Sequence, residues 1–194
     1  MKIVRSTKCS IKFATKKKKL ELQTILKEYG KVVNVFVDYF WNHPEIDKTK
    51  LLKPIVDIPK NSWLSARLRK VAAREALDMV SSVKNVFEWN KEQIQNTIDA
   101  LEKKIKETKP NDKKNRRKIN NWHKKLKANK SKILMVQPHK PKHKGHKMSI
   151  SSTIGELQKP KKEAKEFDAW LHLTSIGNKI SLDILLNFIN TTEN

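Results

Sequence analysis

The segment FDAWLHLTSIGNKISLDILL, residues 167–186, decides the architecture. Two runs with strand composition, Phe167 to Ser175 and Lys179 to Leu186, flank Ile176, Gly177 and Asn178. Gly and Asn tolerate positive φ, so the spacing predicts a tight antiparallel hairpin. Upstream, Lys147 to Ile154 reads as another strand. At the opposite end of the chain, Lys2 to Phe13 alternates in part with period two: Ile3, Arg5, Thr7 and Cys9 share one face, and Lys2, Lys8 and Lys12 lie opposite. Strands at both ends therefore enclose whatever lies between.

What lies between is helical. Thr15 is placed to cap a helix in which Leu20, Leu22, Ile25, Leu26, Tyr29, Val32, Val33, Phe36 and Phe40 recur at helical spacing. Gly30 in its middle costs about 1 kcal/mol relative to Ala. Either the helix bends there or something packs closely against its backbone. Asn42, His43 and Pro44 end it, and three prolines by Pro59 leave room for at most a short helical turn. A second helix is expected from Asn61 or Ser62, with Leu64, Leu68, Val71, Ala72, Leu77, Met79, Val80, Val83 and Phe87 buried. Ala66, Ala72, Ala73 and Ala76 would admit another helix closely. A further period in Ile94, Ile98, Leu101 and Ile105 stops at Pro110 and Asn111. It resumes from Lys113 to Lys127 on Ile119, Trp122 and Leu126. The two segments look like an antiparallel helical hairpin, the alternative being a solvated, charge-rich coil.

The fold class is thus α+β: a helical insertion of three to five helices in a small antiparallel, barrel-like β domain. The boundaries read as residues 1–16 for the first strand, 17–137 for the helices, 138–147 (PHKPKHKGHK) for a basic linker, and 148–194 for the remaining strands, an incomplete set.

Charge is concentrated in one part of the chain. Of a net +23, the stretch from Lys103 to Lys147 supplies a surplus of sixteen, with eighteen Lys or Arg against Glu107 and Asp112. Self-repulsion of this kind opposes compaction unless a polyanion neutralises it. Nucleic-acid phosphates do so while releasing counterions. Two groups offer phosphate contacts: Arg67, Arg69, Lys70 and Arg74 on one helix, and Lys113, Lys114, Arg116, Arg117, Lys118, Lys124 and Lys125 on another. Lys8, Lys12, Lys142 and Lys144 extend the surface. For each group the alternative is ordinary solvation. Trp122, between Asn121 and His123, is placed either to stack on bases or to pin the hairpin through Ile98 or Leu101. Trp41, Trp63 and Trp89 read as core, and Trp170 as filling the β domain.

Other chemistries find little support. No carboxylate cluster suits two-metal hydrolysis, and no phosphate-binding loop, nucleophile elbow or HExxH is present. His139, His143 and His146 lie in a Pro- and Gly-containing tract without a partner thiolate, so no metal and no cofactor is expected. A single cysteine and no signal sequence suggest a reducing, cytoplasmic setting. The longest apolar run, Val35 to Phe40, is too short to span a bilayer. The basic block lacks the apolar face that membrane binding needs.

Three segments carry a family resemblance. MKIVRSTKCSIKF followed by KLELQTILKEYGKVVNVFVDYFW resembles the start of TnpB-type transposon proteins and the related compact type V CRISPR effectors. SWLSARLRKVAAREALDMVSSVKNVF is similar to their next helix, and FDAWLHLTSIGNKISLDI to the wedge-domain hairpin after their recognition lobe. The resemblance covers nearly the whole chain. It implies a split wedge barrel with recognition helices inserted, and RNA-guided DNA targeting by guide RNA scaffold and guide–target hybrid. It also implies a RuvC-type nuclease domain later in such proteins, which this sequence does not include. The expected partners are therefore RNA and target DNA, with a separate nuclease subunit or further copies of the chain as additional candidates, and the chain itself is expected to be non-catalytic. Two rival readings use the same cations: a duplex-DNA-binding regulator or transposon accessory protein with no RNA requirement, and a scaffold whose basic block binds acidic partners.

Overall fold

The computed structural model describes residues 9–47, 49, 51–159, 168–177 and 180–188. The elements are β1 (Cys9–Ser10), α1 (Lys16–Asn42), α2 (Lys53–Val56), α3 (Ala66–Glu107), α4 (Lys113–Met135), β2 (Gly155–Gln158), β3 (Ala169–Gly177) and β4 (Ile180–Phe188). The class is α+β. The strands form one antiparallel sheet in the order β1-β4-β3-β2, open among the described residues. β1 pairs with β4, Cys9 opposite Phe188, so all four described helices are inserted in the chain between β1 and β2, the two edge strands of one sheet.

The chain divides into two compact units. Residues 1–78 and 142–194 form the first, and residues 79–141 the second. The division falls inside α3 rather than at residues 16 and 137, because α1 and the first part of α3 share a core with the sheet. Tyr29, Val33, Phe36, Val37 and Phe40 of α1 are buried there with Leu68, Ala72, Ala73 and Ala76 of α3 and Leu173, Ile176 and Ile184 of the hairpin. The alanines that promised close packing are fully covered, except Ala66, which is exposed. α1 starts where expected: the Thr15 hydroxyl accepts from the Lys18 amide at 3.3 Å. α3 starts four residues later than expected, at Ala66, with the Ser65 hydroxyl accepting from the Leu68 amide.

That helix start is tied to the sheet. β3 has an irregular register between Leu173 and Gly177, and Ser175 there takes a positive φ of 54°. The irregularity turns two carbonyls toward α3: Ser175 accepts from the Ser65 hydroxyl and Ile176 from the Ser65 amide. A side chain on Gly177 would strike the carbonyl oxygen of Trp63.

Two expectations fail. Lys147 to Ile154 forms no strand; the chain turns there, with the Ile154 and Gly155 amides donating to Ser151, and the strand follows at β2. The tract 138–147 has no regular element, as expected, but its second half is not a free linker. His143 is buried against α1, its amide donating to the Asn34 side chain at 2.8 Å while its carbonyl accepts from the same amide group at 3.0 Å. Gly145 lies so close to Gly30 that a Cβ on Gly30 would sit 2.7 Å from the Gly145 Cα. Of the two reasons for a mid-helix glycine, close packing is the one realised.

A buried polar cluster completes this junction. Glu75 of α3 accepts from the hydroxyls of Tyr29 at 2.8 Å and Ser149 at 2.9 Å, and pairs with Lys147 at 3.5 Å. The Gly145 amide donates to His143 Nδ1, which leaves the proton on Nε2, and Nε2 faces Glu75 at 3.4 Å. Burial raises the Glu75 carboxyl, but the Tyr29 and Ser149 hydrogen bonds and the electrostatic attraction of the His143 ring and the Lys147 ammonium outweigh it and hold it below the ordinary value. Tyr29 moves the other way: burial, then the hydrogen bond to Glu75 and its charge, push its phenol far above the usual range.

Two measurements follow from this junction. Gly30→Ala should gain about 1 kcal/mol of helix propensity and lose more by forcing the Gly145 backbone away, for a net loss of about 1–2 kcal/mol in denaturant unfolding. Stabilisation by this substitution would show that the close approach is absent. Glu75→Gln should cost about 1–3 kcal/mol near neutrality by replacing charge-assisted bonds. Because the folded carboxyl lies below its ordinary value, that difference is present above the ordinary carboxyl range and disappears as pH falls through the folded value.

Candidate nucleic-acid interface

The second unit is a helical hairpin. The part of α3 from Met79 onward reaches Glu107, and α4 returns after a short connection. Asn129, Lys132 and Val136 of the returning arm face Asn90, Ile94 and Thr97, and Lys130 pairs with Glu102 at 2.7 Å. The helices are therefore antiparallel. α3 is one helix of 42 residues, with no interruption between Phe87 and Trp89, since neither glycine nor proline falls there. α4 runs to Met135, eight residues past the expected Lys127.

Burial in α4 follows a strict rhythm. Asn115, Ile119, Trp122, Leu126, Asn129, Ile133 and Val136 are half-buried at alternating spacings of four and three, and the other residues from Lys113 to Met135 are exposed. The facing arm keeps the same rhythm through Val80, Lys84, Phe87, Lys91, Ile94, Ile98, Leu101 and Ile105, with Val80, Ile98 and Leu101 buried and, of these eight, Lys91 alone exposed. Repeats of 3.5 residues wind helices about each other with one seam inside.

This seam fixes where the cations go. α4 has ten Lys or Arg and no acid. Lys113, Lys114, Arg116, Arg117, Lys118, Lys124, Lys125 and Lys127 are all exposed, off the seam, while Lys132 is exposed at its rim beside Asn90, Ile94 and Thr97. At 1.5 Å per residue the stretch from Lys113 to Lys127 is about 21 Å long. Asp112 caps the helix, its carboxylate accepting from the Asn115 amide at 2.6 Å, and the Arg116 guanidinium donates to the Pro110 carbonyl at 3.2 Å. Lys130 offers no such surface charge: its ammonium, by hydrogen bond and then by charge, holds the Glu102 carboxyl below its ordinary value.

In the first unit the expected group divides. Arg67, Lys70 and Arg74 are exposed at spacings of three and four, which puts them on one stripe of α3. Arg69 is turned away and half-buried, 17% exposed, with its guanidinium on Asp57 at 2.7 Å. It serves the fold by tying α3 to the residue after α2. Lys12 is exposed, with its ammonium over the Phe13 ring and its carbonyl accepting from Lys19. Lys142 and Lys144 are exposed on either side of buried His143. Lys8 lies outside the described residues.

One aromatic expectation fails. Trp122 is half-buried on the seam, in the pinning position, whereas Trp89, expected in the core, is 60% exposed. The signal was present: continuing the four-and-three rhythm back from Ile94 through Lys91 to Phe87 leaves Trp89 off the seam. Trp41, Trp63 and Trp170 are half-buried, Trp170 with Lys18 over its ring.

Among the described residues, no group of three or more His, Cys, Asp or Glu is arranged to hold a metal, and no helix is long and apolar enough to cross a membrane. Comparison with known protein families, curated proteins and solved structures finds no match.

If Trp122 pins the hairpin, Trp122→Ala should lower the thermal midpoint by several degrees, corresponding to about 2 kcal/mol. Trp122→Leu should restore most of it. A Trp122→Ala protein of unchanged stability would free that ring for another role.

Proposed function

We propose that this chain is a non-catalytic RNA-binding module of the kind found in the wedge and recognition half of TnpB-like RNA-guided nucleases, and that it holds guide RNA scaffold and its hybrid with target DNA by phosphate and shape contacts. The observation that carries this reading is α4: ten cations, no acid, and seven of the expected phosphate-binding side chains exposed off the seam. Such a surface neutralises a sugar-phosphate backbone without reading its sequence. The stripe of Arg67, Lys70 and Arg74 adds two planar guanidinium forks suited to paired phosphate oxygens and one ammonium. Pairing of β1 with β4 across the inserted helices supports a split β domain, which in this reading is the wedge barrel.

The test is a titration of a structured RNA hairpin and of duplex DNA of equal length over a range of salt. Expected is a preference for RNA and a log–log slope of about 0.7–0.9 for each phosphate neutralised. Arg117→Gln, Lys124→Gln and Lys125→Gln together should reduce that slope by about two to three units. Equal or stronger binding to duplex DNA would give the cations to a DNA-binding regulator. A flat salt response would remove the nucleic-acid reading altogether.

A further inference from the structure

Trp89 presents a large ring to solvent on the side of α3 away from the seam, and its surroundings differ from those of the α4 cations. Asn85, Trp89, Glu92 and Asn96 follow one another on one face at spacings of four, three and four. With Gln95 and Ile133 they border an open groove of about 550 Å³. Its charged residues are Glu88 and Glu92 against Lys91, the wrong balance for a phosphate. Its chemistry is instead that of a nucleobase: a flat indole to stack on, and amide groups able to both donate and accept along a base edge.

We infer that Trp89 is a stacking platform for an unpaired base, with Asn85 and Asn96 as its hydrogen-bonding border and Gln95, whose amide nitrogen donates to Asp99 at 2.8 Å, offering its carbonyl. This deepens the nucleic-acid reading and rests on it. Paired bases in a duplex have their faces covered by neighbours, so the platform takes single-stranded segments only.

The experiment measures binding of the full chain to a 20-nucleotide single-stranded oligouridylate and to a paired RNA duplex of the same length. The proteins are wild type, Trp89→Ala, Trp89→Phe and the Arg117, Lys124, Lys125→Gln triple variant. Trp89→Ala should weaken single-strand binding on the order of tenfold, leave duplex binding and both salt slopes unchanged, and be largely rescued by Trp89→Phe. Because the ring is exposed, helical content and unfolding midpoint should match wild type. The platform is overturned if Trp89→Ala binds the single strand like wild type, or loses the two ligands equally. It is also overturned if sedimentation shows a wild-type dimer that Trp89→Ala converts to monomer, which would give the ring to a second copy. Loss of both ligands in the triple variant without a Trp89 effect would sink this inference alone. A wild-type protein that binds neither ligand would sink the proposed function with it.

Discussion

The first unit depends on two glycines. Gly30 and Gly145 let the chain returning from the helices lie directly on the α1 backbone, at a separation no side chain permits. Every polar contact of the junction follows from that approach. It brings the His143 peptide to Asn34, places the imidazole edge-on to Tyr29, and sets Ser149 and Lys147 over Glu75. A carboxylate with limited access to water is costly unless its oxygens are satisfied, and here two hydroxyls, an ammonium and an imidazole surround it. The arrangement is specific in a way an apolar patch is not: a slip of one residue in the returning segment would leave Glu75 without these partners. The segment from Lys142 to Ser149 is therefore delivered in one register, and β2 through β4 join the sheet that β1 began.

The second unit depends on rhythm rather than on any single contact. A helix with ten cations and no acid repels itself where they stand three or four apart, as at Lys113–Arg117 and Lys114–Lys118, and gains no ion pair of its own in return. What holds α4 is the seam, where Ile119, Trp122, Leu126 and Ile133 fall at 3.5-residue intervals against Ile98, Leu101 and their neighbours. The same spacing forces every other position outward, and those positions are where the lysines and arginines stand. Charge display and folding are two consequences of one pattern: moving the cations to another face would require a different seam. The Lys130–Glu102 pair, between exposed or half-exposed side chains, adds little energy of its own.

Much of this could be read from the residues. Thr15 as a cap, the mid-helix Gly30 awaiting a close neighbour, the Pro110 break and the final β-hairpin all rest on local chemistry, and local chemistry prevailed. The losses came where the deciding partner is distant in the chain. PHKPKHKGHK has the composition of a linker, and nothing nearby says that Gly145 will meet Gly30 or that His143 will be enclosed. Arg69 differs from Arg67 and Lys70 only by its angle around the helix, and Asp57 supplies the reason it turns inward. Lys147 to Ile154 has strand composition, but Ser151 closes a turn there and strand pairing is deferred to Gly155. Trp89 reads as core from its apolar neighbours but falls off the four-and-three rhythm and is exposed, whereas Trp122 falls on it. In a helix paired along a seam, register alone decides which ring is covered.

Under the proposed function, the two surfaces of the hairpin would divide the work of recognition by range. Exposed cations act through a field that extends over a Debye length, about 8–10 Å at physiological salt, so the cations of α4 would attract a polyanion without regard to sequence. An indole acts only on contact, and only on a base whose face is free. On that reading charge would set how often a nucleic acid arrives and how strongly salt opposes it, while the ring would discriminate between paired and unpaired segments. Had Trp89 stood among the lysines, the duplex phosphates would have competed for the same surface and most of that discrimination would be lost. Its place among amides and carboxylates, which do not attract phosphate, keeps the two contributions separable.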